Sequence, residues 1–283
     1  MTQRTQARRA AVAVVALAVL MLAGCSTNGP TTNDDAGSST LTTTQSAGVR
    51  PLEFVELGDS WIAGEHCGYC TTFAGLWAAD IEQRTGRTVN VTDFTGGNER
   101  SAPQEKTTGS LLWTLQHDQD TIAAIRKADI VLIATGGNDI PMDKLFEGQC
   151  GGQDGYACIR SLGPLWHRNY DAIVHAIVDL RNGQPTAIRL LNESNPFLGA
   201  AEIYSLVPPE VARTGGALIA KLAGKAMCDA AGKYSAVCID GRRTLTGPHF
   251  DRRFDENAPS TFRALADELD AAGLQELGVS TIK

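Results

Sequence analysis

The sequence predicts an α/β fold on a parallel sheet, and three observations lead there. Short apolar, β-prone runs recur along the chain from Leu52 onwards. A longer stretch with helical patterning follows each of them. Strands separated by helices need crossover connections, which set neighbouring strands parallel and cover both faces of the sheet. Composition allows such a core, since 43% of the residues are hydrophobic and 20% charged, the balance of an ordinary globular domain.

In chain order, strands are expected over Leu52–Leu57, Thr88–Phe94, Asp129–Thr135, Thr186–Asn192 and Ala236–Asp240. Helices are expected between them, around Thr72–Arg84, Thr107–Arg126, Pro164–Leu180 and Glu210–Ala231, with a last one over Pro259–Ala271. Ile173, Ile177 and Leu180 illustrate the helical repeat, with polar residues between them. Five strands alternating with helices make a flavodoxin-like three-layer α/β/α sandwich with a five-stranded parallel sheet. Residues 51–283 are read as this one domain, without internal repeats.

What precedes it is read differently. Arg4, Arg8 and Arg9 are the only charges in residues 1–24, and an apolar run from Ala10 to Leu22 follows, too short to span a bilayer comfortably. The run stops at Leu22-Ala23-Gly24-Cys25, which resembles a bacterial lipobox. That resemblance implies removal of a lipoprotein signal peptide (1–24) and acylation of Cys25, a palmitate-type membrane anchor on the extracytoplasmic side. The alternatives are an ordinary secretory signal with an incidental cysteine, or twin-arginine export through Arg8-Arg9. Residues 25–50 are rich in Ser, Thr, Asn and Gly, too polar to bury a core, and read as a disordered tether.

Export agrees with the cysteines. Setting Cys25 aside leaves Cys67, Cys70, Cys150, Cys158, Cys228 and Cys238, an even set that suits disulfides. Proximity favours Cys67–Cys70, Cys150–Cys158 and Cys228–Cys238. Cys67-Gly68-Tyr69-Cys70 also has the spacing of a thiol–disulfide redox centre, which makes an exported redox protein a rival reading. Four further cysteines favour a structural staple. The formal charge of −7, more negative by three without the first 24 residues, argues against a nucleic-acid partner. No His, Cys or Glu grouping has metal-site spacing, so neither metal nor cofactor is expected. A monomer is expected.

In a parallel sheet of this kind, ligands collect at the carboxyl ends of the strands. The loop after the first strand carries Gly58-Asp59-Ser60, the second Thr95-Gly96-Gly97-Asn98, the third Gly136-Gly137-Asn138-Asp139. A serine in a turn is ordinary turn chemistry on its own. The order and strand context of the first and third loops, however, resemble blocks I and III of the SGNH (GDSL-like) hydrolases over roughly residues 52–275.

This resemblance implies a serine hydrolase with Ser60 as nucleophile. Its oxyanion hole would be the Ser60 N–H, the Asn138 side chain and the N–H of Gly97 or Gly96. Substrates would be lipid esters or acylated carbohydrates outside the cell. The family's base, an Asp-x-x-His pair before the last helix, meets Asp255-Glu256-Asn257-Ala258 here, with Ala258 in the histidine's place. His249, nine residues earlier with Asp251 and Asp255 nearby, is the preferred substitute, and His66 is the other candidate. His117, His167 and His175 fall within expected helices. A non-catalytic binding lipoprotein with the same cleft is the alternative function. Asp139 is expected to cap the segment beyond it, Asp59 to order its own turn, and Trp61 to line a substrate groove.

Overall fold

The computed structural model describes residues 50–64, 70–95, 107–147, 150, 156–192, 195–199, 206–249, 252–255 and 258–279. Five strands form: β1 Leu52–Gly58, β2 Val89–Phe94, β3 Ile130–Ala134, β4 Ala187–Leu191 and β5 Val237–Ile239. Every pairing is parallel and the order is β2-β1-β3-β4-β5. The helices are α1 Phe73–Thr85, α2 Thr108–His117, α3 Gln119–Lys127, α4 Met142–Phe146, α5 Ala157–Arg160, α6 Leu162–Arg181, α7 Pro196–Gly199, α8 Gly216–Lys233, α9 Gly241–Thr246 and α10 Pro259–Ala272.

The sheet separates two apolar layers. Val55, Leu57, Val131, Ile133, Ile188 and Leu190 face α2, α3, α6 and α8. Leu52, Phe54, Ile130, Leu132 and Leu191 face α1 and α10. Strands covered on both sides read as continuous apolar runs, and β3 (IVLIA) is buried at every position. This is the three-layer sandwich the alternation predicts.

The helices expected over Thr107–Arg126 and Glu210–Ala231 differ in detail. The first is two helices. Asp118 adopts extended backbone (φ −82°, ψ 111°) and its carboxylate accepts from the N–H (3.1 Å) and hydroxyl (2.5 Å) of Thr121, so it ends α2 and caps α3. In the second, a π-helical turn over Val211–Gly215 precedes α8.

Cys150–Cys158 and Cys228–Cys238 are disulfides, the latter joining α8 to β5. Cys70 is disulfide-bonded, but Cys67, and with it the expected Cys67–Cys70 pairing, lies outside the described residues. The export signal, Cys25 and the tether also lie outside them. Among the described residues no helix is long and apolar enough to cross a membrane, and no His/Cys/Asp/Glu group could hold a metal ion.

Candidate active site

Strand order reverses direction between β1 and β3, so the loops leaving their carboxyl ends part to opposite sides and open a crevice. The two strands end in register, with Gly58 opposite Ala134, and the Asp59 N–H donates to the Ala134 carbonyl at 3.3 Å. Any side chain at position 58 would collide with that carbonyl and with Ile62, which is why glycine stands there. Ser60, half-buried, begins the turn two residues on. Asp59 is buried and accepts from the Trp61 N–H at 3.2 Å, ordering the turn as expected.

Asn138 is exposed in a 3₁₀ turn over Gly137–Asp139 that follows β3 directly. Gly136 enters that turn at φ 129°, and a Cβ there would collide with the Tyr170 hydroxyl. Asp139 does not cap the segment beyond it, because the N-cap of α4 is Pro141 and no side chain caps that helix. Its carboxylate instead crosses to the preceding loop and accepts from the Thr108 N–H at 3.2 and 3.3 Å, at the start of α2. It also accepts from the Trp166 indole at 2.9 Å. Burial raises the Asp139 pKa, against the opposing pull of the Thr108 and Trp166 hydrogen bonds.

The position that the family gives to its histidine is also well defined. Ala258 begins α10, and the Phe262 N–H returns to its carbonyl at 3.3 Å. The Phe262 ring stacks on Phe73 with centroids 6.1 Å apart, and Phe73 meets Trp61 at 5.7 Å. A run of three aromatic rings thus links the helix that Ala258 opens to the neighbour of Ser60. Beside Ala258 lies a cavity of about 250 Å³ whose walls include Leu245, Phe254, Asp255 and Thr261. Trp61 is half-buried in this packing.

His249 is exposed in the turn after α9, and Asp255 is exposed just before α10, its carbonyl accepting from the Thr261 hydroxyl at 2.6 Å. No hydrogen bond joins His249 to another described residue. His117 Nδ1 donates to the Trp113 carbonyl at 2.8 Å, while His167 and His175 lie 3.6 and 3.4 Å from Asp229 and Asp179. His66, Gly96, Gly97 and Asp251 lie outside the described residues.

The sequence reading missed the support given by α6. Trp166 and Tyr170 are fully buried, and Tyr170 donates to the Thr135 carbonyl at 2.5 Å. Their i, i+4 spacing was legible, but two aromatic residues in a helix read as core until the targets of their polar ends are known.

Three solved structures share this fold. The lipase Lip_vut3 from a goat rumen metagenome is 19% identical, with a TM-score of 0.58 over 79% of this chain and 98% of its own. The fold is the SGNH hydrolase fold. An extracellular lipase from Streptomyces rimosus is 18% identical (TM-score 0.53; 78% of this chain, 99% of its own). Phospholipase A1 from Streptomyces albidoflavus NA297 is 14% identical (TM-score 0.52; 77% and 98%). No family model matches the sequence, and the comparison with curated proteins finds no match. Each SGNH structure is covered almost from end to end, so what is shared is the whole fold rather than a fragment of it.

Proposed function

We propose that this chain is an exported serine esterase, acting on lipid esters or acylated carbohydrates outside the cell. The observation that carries this reading is the in-register ending of β1 and β3. It brings a serine turn and an asparagine turn to one crevice, with buried Asp59 and half-buried Asp139 fixing their backbones. Ser60 Oγ attacks the ester carbonyl as its proton passes to an imidazole. The oxyanion is stabilised by the Ser60 N–H, the Asn138 amide and the Gly97 N–H, and the alkoxide leaves with the proton. Water, deprotonated by the same imidazole, then releases the acid from Ser60. His249 is the proposed base, with Asp255 orienting it. Two disulfides agree with an oxidising compartment, and acylated Cys25 would hold the domain at the membrane through residues 25–50.

A second reading is favoured by Ala258 at the start of α10: the crevice binds an acylated carbohydrate or lipid and does not cleave it. Hydrolysis of p-nitrophenyl acetate by the purified full-length protein separates the two. The esterase reading expects turnover that Ser60→Ala reduces to background. Identical rates in the two proteins would leave the binding reading.

A further inference from the structure

We propose that Trp166 is a positioning residue for the oxyanion donor Asn138, acting through Asp139; this rests on the esterase reading above. One face of α6 reaches both the turn after β3 and the start of α2. Residues 166, 169 and 170 stand at i, i+3 and i+4, the spacing that aligns side chains along a helix. Trp166 donates to Asp139 at 2.9 Å, and Tyr170 donates to Thr135 at 2.5 Å. Asn169 donates to the Thr108 hydroxyl at 2.7 Å. Asp139 in turn takes the Thr108 N–H, so the turn after β3 and the start of α2 are fastened to one another as well as to α6.

Asn138 lies between two pinned neighbours. On one side Gly136 passes so close to Tyr170 that no side chain fits, and on the other the Asp139 carboxylate is held from two directions. Within the turn, the Asp139 N–H donates to Gly136 (3.1 Å) and the Ile140 N–H to Gly137 (3.2 Å). A donor aimed at a developing oxyanion is effective only if its direction is fixed before the reaction, which supporting hydrogen bonds and packing achieve. Hydrogen bonds to a carboxylate are stronger than neutral ones, so the indole N–H is a firm anchor. Trp166 is 0% exposed and touches no substrate; it acts at one remove.

The test is a double-mutant cycle in the full-length protein with p-nitrophenyl acetate. Trp166→Phe keeps the ring in the core and removes the N–H. It should lower kcat about tenfold with KM within about twofold, a fraction of the roughly 10²–10³-fold lost when an oxyanion donor is removed outright. In the Asn138→Ala background the same change should have no further effect, because there is no donor left to aim. An equal loss in both backgrounds, or none in either, overturns the proposal. If Trp166→Phe fails to fold, Asp139→Asn enters the same cycle with the same expectation, since it removes the carboxylate charge and sets an NH₂ group against the Thr108 N–H, which both carboxylate oxygens now face. A second readout needs no turnover and so separates this proposal from the esterase reading. In ¹⁵N-labelled Ser60→Ala protein, the Asn138 side-chain amide signals should shift or broaden with Trp166→Phe and not with Trp113→Phe. Unchanged Asn138 signals would end the positioning role whether or not the protein hydrolyses esters.

Discussion

As the proposed nucleophile, Ser60 would need a proton acceptor, and the residue at the start of α10 is Ala258, which cannot be one. The aromatic contacts from Phe262 through Phe73 to Trp61 connect this helix to the residue beside Ser60, and the cavity of about 250 Å³ beside Ala258 has space for an imidazole. His249, the proposed base, stands in the turn after α9, where it is exposed and makes no hydrogen bond to a described residue. Catalytic hydrogen bonds often tighten only with substrate bound. His249→Ala is therefore expected to lower kcat by roughly 10²–10⁴-fold, the range for loss of a general base. Adding Ala258→His to that variant should recover part of the loss, because it returns an imidazole to the start of α10. Steady-state rates on one short-chain ester decide both. Loss in His66→Ala with none in His249→Ala would move the base to position 66.

Among the elements, Asp118 shows where local chemistry overrides periodicity. Thr107–Arg126 contains neither glycine after Gly109 nor proline to end a helix, yet the Asp118 side chain, within a polar stretch between Leu115 and Ile122, takes the Thr121 N–H and stops one helix to start another. Asp118→Ala should destabilise the domain by about 1 kcal/mol, the usual loss for an N-cap, seen as a lower urea midpoint at unchanged slope. A midpoint equal to wild type would mean that packing of Ile122 and Ile125, not the cap, fixes α3. The strands were legible because both faces of the sheet are covered, which leaves Ile130-Val131-Leu132-Ile133 as an uninterrupted apolar run. The turns that carry Ser60 and Asn138 were legible because Gly58 and Gly136 stand at the strand ends before them, where backbone must pass close to its neighbour. The role of Asp139 was not, since its partner Thr108 lies 31 residues away and only the sheet order brings the two loops together. Trp166 was hidden for the same reason.

At the scale of the whole molecule, two buried carboxylates give stability opposite dependences on pH. Asp129 is chelated by Arg50 at 2.6 and 2.7 Å and accepts the Glu53 N–H at 3.0 Å. Burial opposes its charge, but the Arg50 and Glu53 hydrogen bonds outweigh that and hold its pKa below the ordinary 3.8. It stabilises the fold above that value and ceases to as pH falls through its lowered pKa. Glu56 is the reverse case. It points from β1 into the α1–α10 layer, 4% exposed, with one carboxyl oxygen buried and unpartnered. Burial first, and the Asp93 charge second, raise its pKa well above the ordinary 4.5. The folded state therefore holds a proton that the unfolded chain releases, and stability falls as pH rises from about 4.5 through the raised value. Glu56→Gln removes that proton linkage while keeping a neutral side chain of similar size. Urea midpoints of the two proteins should nearly coincide at about pH 4 and separate with rising pH, Glu56→Gln becoming the more stable. A gap that stays constant across the range would mean that Glu56 ionises alike in the folded and unfolded chains, and that its carboxylate is solvated rather than buried.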